Sequence, residues 1–120
     1  MQQLSELELH LLNGLTAKYP ILENHIPHLK VEKRETTGTG LNVYLSYEGF
    51  QEAFGNINAL FSNQEKIQVD KLKHGLAYVI DVTEGAITSI EFATYNEKWD
   101  GKITNYTILE NELGDLQFEQ

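Results

Sequence analysis

The glycine-rich stretch ETTGTG, residues 35–40, is the sequence feature closest to a ligand-binding motif. Closely spaced glycines hold phosphate groups when they lie between a strand and a helix, because the first N–H groups of the helix bind the phosphate. In this chain a strand pattern follows the glycines, and no Lys-Ser or Lys-Thr pair comes after them. We therefore predict a hairpin turn without a bound phosphate, in which Gly40 adopts a positive φ.

Two histidines, His25 and His28, have the three-residue spacing of metal ligands on a helix. Pro27 between them disfavours a helix, and neither His10 nor His74 has a local carboxylate at ligand spacing. The absence of cysteine excludes disulfides, thiolate zinc sites and thiol nucleophiles. We therefore predict no metal site and no other cofactor.

Paired carboxylates are another arrangement that supports catalysis. Asp81 and Glu91 are the candidates, and a three-residue loop at residues 83–85 places Glu91 opposite Ala77. The pair is then about 13 Å apart at roughly 3.3 Å per residue, beyond the about 5 to 9.5 Å that glycoside hydrolysis uses. No G-x-S-x-G motif surrounds a serine either. No enzyme class is supported, and we favour a protein without catalytic activity over an enzyme.

The composition indicates one domain over residues 1–120, with an acidic segment at 110–120 that we expect to be frayed. Eighteen acidic and nine basic residues give a net charge of -9, and residues 81–120 hold nine of the acids but two of the bases. This charge argues against binding to nucleic acid or an anionic membrane. It serves solubility, or it attracts a basic partner protein.

The first residues, MQQLSELELHLL, have no basic segment before their leucines, and no apolar run approaches the ~18 residues of a membrane span. We expect a cytoplasmic location.

Ser5 and Glu8 have the spacing of a capping box at the start of a helix. Leu7, Leu11 and Leu15 continue it as an apolar stripe, and Pro20 ends it near residue 18.

From residue 29 onward the apolar period changes from that of a helix to the two-residue period of strands. The charged segment 29–36 has the pattern of an edge strand. Residues 48–64 contain three phenylalanines and fit either a short helix or an aromatic-lined loop. The predicted fold is α+β, an N-terminal helix packed on a mainly antiparallel sheet of about five to six strands, at residues 29–36, 41–47, 66–72, 76–82, 87–95 and 102–109.

Two hairpins follow from the turn residues. A two-residue loop after Val82 mixes polar and apolar residues on both faces, whereas a three-residue loop with Gly85 in the left-handed conformation gives one apolar face. The Asp100-Gly101 turn predicts a second hairpin that pairs Tyr95 with Tyr106. The face opposite the core then carries three aromatic residues and two carboxylates, namely Glu91, Tyr95, Glu97, Trp99 and Tyr106.

This aromatic face has a structural and a functional interpretation. Cross-strand aromatic pairs stabilise a hairpin, and a second helix covering the face would bury them. Tyr and Trp are also enriched at binding hot spots. The favoured function is a non-catalytic acidic protein-interaction module, an immunity-type inhibitor or a homodimer, whose five face residues contact a basic partner or a second copy. The alternative is a small-ligand-binding or enzyme domain with a pocket between the helix, residues 48–64 and the sheet.

Several short motifs resemble those of a family of small uncharacterised bacterial proteins: Arg34-Glu35, the turn at 37–40, His74-Gly75 and IEFATY at 90–95. Leu41 stands where members of that family have an aromatic residue. The resemblance implies a leucine-rich helix, an RE-x-TG-x-G hairpin, a C-terminal β-meander and a bacterial source, and it implies no mechanism. Separately, WDGKITNYTI at residues 99–108 is similar to the closing hairpin of nuclear-transport-factor-2-like domains, which hold ligands in a cone. A single N-terminal helix falls short of the usual helical layer of that fold.

Overall fold

The computed structural model describes residues 2–63 and 65–109. The strands of this part of the chain form one sheet in the order β1-β2-β6-β5-β4-β7, and β3 pairs with the same edge of β5 as β4. All strand pairs are antiparallel, which confirms the α+β class with one strand more than expected. The predicted frayed segment, 110–120, lies outside the described residues. The elements are α1 Glu6–Lys18, a 3-10 helix Pro20–His28, β1 Leu29–Thr36, β2 Gly40–Tyr47, β3 Ala59–Phe61, β4 Lys66–Val69, β5 Leu76–Thr83, β6 Ala86–Thr94 and β7 Tyr106–Leu109.

Helix α1 begins as the sequence predicts. The Ser5 side chain accepts a hydrogen bond from the Glu8 amide at 3.1 Å, and the Glu8 carboxylate accepts one from the Ser5 amide at 2.8 Å. The predicted leucine stripe is buried in the same core as the inward residues of the sheet. The described chain contains no helical segment with the length and hydrophobicity of a membrane span.

Strand β1 is an edge strand, as its charges predict. Its pairing with β2 shifts by one residue between Val31 and Lys33, so Glu32 forms a bulge. Val31 also exchanges two backbone hydrogen bonds with Gln2, at 3.0 and 2.8 Å. The N-terminal segment therefore covers part of this edge of the sheet.

The β5–β6 hairpin has the predicted apolar face but not the predicted register. Its loop has two residues, Glu84 and Gly85, with φ values of 48° and 80°, and the strands shift by one residue between Asp81 and Val82. Because of this one-residue shift, the apolar residues of both strands lie on one face even though the loop has two residues rather than three. The positive φ predicted for Gly85 is confirmed. The predicted apolar face is buried and contains Leu76, Tyr78, Ile80, Ile90 and Phe92.

The positive φ predicted for Gly40 is wrong, because Gly38 is the left-handed residue of this turn, at φ 89°. Gly40 is the first residue of β2 and lies opposite β6. A Cβ atom at Gly40 would lie 2.6 Å from the Phe92 carbonyl oxygen. A glycine is therefore needed at position 40 for close backbone approach rather than for its φ angle.

Residues 50–58 form no helix, and the chain becomes extended in β3. This segment is held against the β5–β6 turn, because the Gly85 amide donates to the Ile57 carbonyl at 2.9 Å. The Glu84 amide donates to the Asn58 side chain, also at 2.9 Å. Of the two predicted alternatives, the loop is the one the chain adopts.

Candidate functional site

The hairpin predicted around Asp100-Gly101 does not form. Strand β6 ends at Thr94, and β7 pairs with β4, so Tyr106 lies opposite Val69 instead of Tyr95. The chain does bend at this point, since Gly101 has φ 79° and the Asp100 carboxylate accepts a hydrogen bond from the Lys102 amide at 3.0 Å. The predicted pairing of residues 95–99 with residues 102–106 is wrong.

Long-range hydrogen bonds explain why this local turn signal did not set the pairing. The Trp99 amide donates to the Gly38 carbonyl at 2.8 Å, and the Thr94 hydroxyl donates to the Thr39 carbonyl at 2.7 Å. Residues 94–99 are therefore bound to the β1–β2 turn. That turn reverses the chain and also positions Trp99.

The five predicted contact residues do not share one face. Trp99 is 7% exposed and belongs to the hydrophobic core, whereas Tyr95 is 53% exposed and Tyr106 is half-buried on β7. Glu91 is exposed on β6. Glu97 accepts hydrogen bonds from the Lys73 and His74 amides, at 2.9 and 3.0 Å, and these bonds lower the pKa of its carboxyl group. The shared aromatic face is thus not formed, and a role for these five residues in binding a partner stays a prediction.

The structure instead brings aromatic residues together at the 3-10 helix. The ring centroids of His25 and Phe50 are 4.6 Å apart, those of Tyr47 and Phe54 are 4.9 Å apart, and those of the two phenylalanines are 5.1 Å apart. Ile21 lines the same cavity as His25 and Phe50. We refer to Ile21, His25, Tyr47, Phe50 and Phe54 as the aromatic patch.

Local backbone geometry assembles the aromatic patch from three segments of the chain. Pro20 occupies the first turn of the 3-10 helix, where its fixed φ favours helical geometry. The Glu48 amide donates to the His28 carbonyl at 2.8 Å, which joins the end of that helix to the end of β2. Gly49, at φ 71°, then turns the chain, and Phe50 packs against His25.

The polar centre of the aromatic patch is a hydrogen bond of 2.7 Å between His25 Nδ1 and the Tyr47 hydroxyl. The same hydroxyl oxygen accepts a hydrogen bond from the Ile87 amide at 2.9 Å. Burial lowers the pKa of His25, an effect that Glu52 opposes, and burial raises the pKa of Tyr47. Both side chains are therefore neutral near pH 7, and the Tyr47 hydroxyl can donate its proton to the imidazole.

Part of the aromatic patch faces solvent. Ile21 is 70% exposed and Phe54 is 45% exposed, while His25 is buried. A cavity of about 250 Å³ lies beside them, lined by the 3-10 helix, residues 50–57 and Gly85. Glu52 lies on its wall. The result is an apolar surface over packed rings, with the Glu52 carboxylate beside it.

Groups of three or more side chains able to hold a metal ion are absent from residues 2–63 and 65–109. The predicted distance between Asp81 and Glu91 is wrong, because Glu91 lies opposite Val79, only two residues from Asp81. At roughly 3.3 Å per residue the two carboxylates are about 7 Å apart, within the about 5 to 9.5 Å used in glycoside hydrolysis. Their separation therefore does not exclude a catalytic role for the pair. The Asp81 carboxylate instead accepts a hydrogen bond from the Thr83 hydroxyl at 2.6 Å.

The sequence alone does not bring the members of the aromatic patch together, because they come from three separate segments of the chain. The spacing of His25 and His28 points first to metal ligands, and Phe50 and Phe54 lie in a segment whose sequence fits either a helix or a loop. A usable signal was present: these phenylalanines lie outside any apolar period that would bury them in a helix or strand.

Comparison of the chain with protein-family models, with curated proteins and with solved structures finds no match. The resemblance to the small bacterial family therefore stays a prediction.

Proposed function

We propose that this chain is a non-catalytic protein-interaction module that binds its partner through the aromatic patch. The observation that carries the proposal is the exposure of Ile21 and Phe54 beside a base of packed rings. Exposed apolar side chains on a rigid aromatic base are typical of binding hot spots, because little conformational freedom is lost when they bind.

The charge of the chain defines the kind of partner. The net charge is -9, and Glu23, Glu48 and Glu52 are exposed in or next to the segments that carry the aromatic patch. A basic protein with an apolar anchor complements this surface, and the opposite charges speed its association. Two copies of a chain this acidic repel one another, which favours a basic partner over a homodimer. An immunity-type inhibitor that neutralises a basic protein in the cytoplasm fits this chemistry.

A binding experiment can compare two exposed aliphatic residues, one inside the aromatic patch and one outside it. Ile21 is 70% exposed in the aromatic patch, and Leu60 is 73% exposed on β3. Immobilised wild type, Ile21→Ser and Leu60→Ser are incubated with lysate of the native host, and retained proteins are identified and then titrated by calorimetry. We expect a basic protein that binds wild type and Leu60→Ser alike and binds Ile21→Ser at least tenfold more weakly.

Two results contradict the proposal. One is a retained protein whose affinity falls equally with Leu60→Ser, or does not fall with Ile21→Ser. The other is a stable dimer of the wild-type chain in light scattering that Ile21→Ser dissociates, which would identify a second copy as the occupant. Thermal unfolding of each variant shows whether the fold is kept.

The cavity beside His25 favours a second candidate, a small-ligand-binding domain. It lies between the 3-10 helix and residues 50–57 rather than beside α1, where the pocket is predicted, and Asn24, His25 and Glu52 give it polar groups. Its volume of about 250 Å³ is below the roughly 300–1,000 Å³ of most ligand pockets, so we place this candidate second. Ala53 lines the cavity, so Ala53→Leu, which narrows it, would abolish ligand binding under this candidate.

A further inference from the structure

A second cavity, wide open to solvent, lies away from the aromatic patch, at the opposite end of the β1–β2 hairpin from residues 47–50. Its volume is about 670 Å³, and it is lined by residues 37–39, Lys71 and residues 98–100. Three separate loops therefore contribute to its wall. A cavity of this volume is in the range of small-molecule sites.

Two lysines from different loops lie on this wall. Lys71 and Lys98 are both exposed, and neither forms an ion pair with a residue of the described chain. Asp100 is the carboxylate on the wall, and it accepts a hydrogen bond from the Lys102 amide. The nearby Glu97 is bound to the Lys73 and His74 amides. The lining residues alone therefore carry one net positive charge, with the charged Glu97 beside them, on a chain whose net charge is -9.

The backbone at Lys71 supplies an independent observation. Residues 69–72 form a turn, closed by a hydrogen bond of 3.2 Å from the Leu72 amide to the Val69 carbonyl. Lys71 has φ 75°, at the position of such a turn where glycine is favoured. A lysine here is strained relative to glycine, and strained residues cluster at binding and catalytic sites.

We propose that this cavity binds a small organic phosphate, with Lys71 and Lys98 contacting the phosphate oxygens and the hydroxyls of Thr37 and Thr39 completing the site. A phosphate group carries nearly two negative charges near pH 7, and each lysine can form a charge-assisted hydrogen bond with one of its oxygens. The cavity is larger than the phosphate group alone and leaves room for an organic part. This site needs no helix N-terminus, since side chains rather than helix amides supply the positive charge. It is independent of the proposed protein-binding function.

Trp99 makes the proposal directly measurable. It is the single tryptophan of the chain and lies on the cavity wall, so its fluorescence reports binding there. Inorganic phosphate and phenyl phosphate are titrated separately, each against sodium chloride of equal ionic strength. We expect a saturable change with both phosphates, tighter binding of phenyl phosphate, and no saturable change with sodium chloride.

Two variants separate binding from folding. Lys71→Gly relieves the left-handed strain, so we expect a melting temperature no lower than that of wild type together with about tenfold weaker phosphate binding. Lys98→Gln is expected to weaken binding by a similar factor, while Lys18→Gln at the end of α1 leaves it unchanged. A fluorescence change that sodium chloride reproduces, or phosphate affinities that are equal in wild type, Lys71→Gly and Lys98→Gln, would overturn the proposal.

Discussion

At the scale of single residues, His25 reports most directly on the packing of the aromatic patch. Its pKa in the folded chain is below the ordinary value of 6.5 because the ring is buried. The unfolded chain therefore binds more protons than the folded chain between the two pKa values. The resulting stabilisation is fully present above pH 6.5 and is lost as the pH falls through the folded pKa.

We expect the NMR titration of the His25 ring to have its midpoint below 6.5, and the free energy of unfolding to decrease as the pH falls from about 7 to about 5. His25→Gln should remove this part of the pH dependence, whereas His74→Gln, an exposed histidine in another loop, should keep it. A His25 midpoint at or above 6.5 would mean that the ring is not buried as described.

The β1–β2 turn needs glycine at two positions for different reasons, close backbone approach at Gly40 and a positive φ at Gly38. Gly40→Ala places a Cβ atom 2.6 Å from the Phe92 carbonyl oxygen, so the β2–β6 pairing must shift, and we expect a loss of about 2 kcal/mol of stability. Gly38→Ala has open space but a φ of 89°, and we expect a loss of about 1 kcal/mol. Urea denaturation of both variants measures which substitution lowers the free energy of unfolding more. A larger loss at Gly38 than at Gly40 would contradict the close approach of β2 and β6.

At the scale of elements, Glu8 and Arg34 join α1 to the edge strand β1. The guanidinium contacts both carboxylate oxygens, with Nη2 at 2.8 Å from Oε1 and Nε at 3.0 Å from Oε2. The Glu8 carboxylate is buried, and it also caps the helix through the Ser5 amide. One buried carboxylate thus satisfies a helix end and an ion pair together.

Arg34→Ala leaves that buried carboxylate without its cation, and we expect a loss of about 2 kcal/mol, reduced from the roughly 3–5 kcal/mol of a fully buried pair because Arg34 is partly exposed. Ser5→Ala removes the reciprocal cap and should cost about 1 kcal/mol. Lys33→Ala is the control, since its 3.8 Å pair with Glu35 is exposed and should contribute less than about 0.5 kcal/mol. Equal losses for Arg34→Ala and Lys33→Ala in urea denaturation would show that Glu8 does not depend on its partner.

Elements fixed by neighbouring residues were predictable from the sequence. Helix α1 has its cap, its leucine stripe and its proline within about fifteen residues, and it begins and ends as expected. The position of β7 was not predictable, because a hydrogen bond from Trp99 to Gly38 overrides the local Asp100-Gly101 signal. The sequence pattern also does not reveal the one-residue shift between β5 and β6, because a bulge and a longer loop both place the apolar residues on one face.

At the scale of the whole molecule, the two proposed sites are built from residues distant in the sequence. The aromatic patch joins the 3-10 helix to the end of β2, and the lysine cavity joins three loops. No short stretch of the sequence contains either site. The composition therefore indicates an acidic chain suited to a basic partner, but it does not indicate which surface would bind that partner. The prediction of Tyr95 and Trp99 as contact residues depends on a hairpin register that the fold does not adopt.

Amide hydrogen exchange on the complex with the captured partner tests the central claim most directly. Exchange is compared between the free chain and the complex for every segment from residue 2 to residue 109. If the aromatic patch is the contact surface, protection should increase at residues 20–28 and 47–57 and remain unchanged at residues 89–106. Protection confined to residues 89–106, around Glu91 and Tyr95, would contradict the account and return the interface to the face predicted from the sequence.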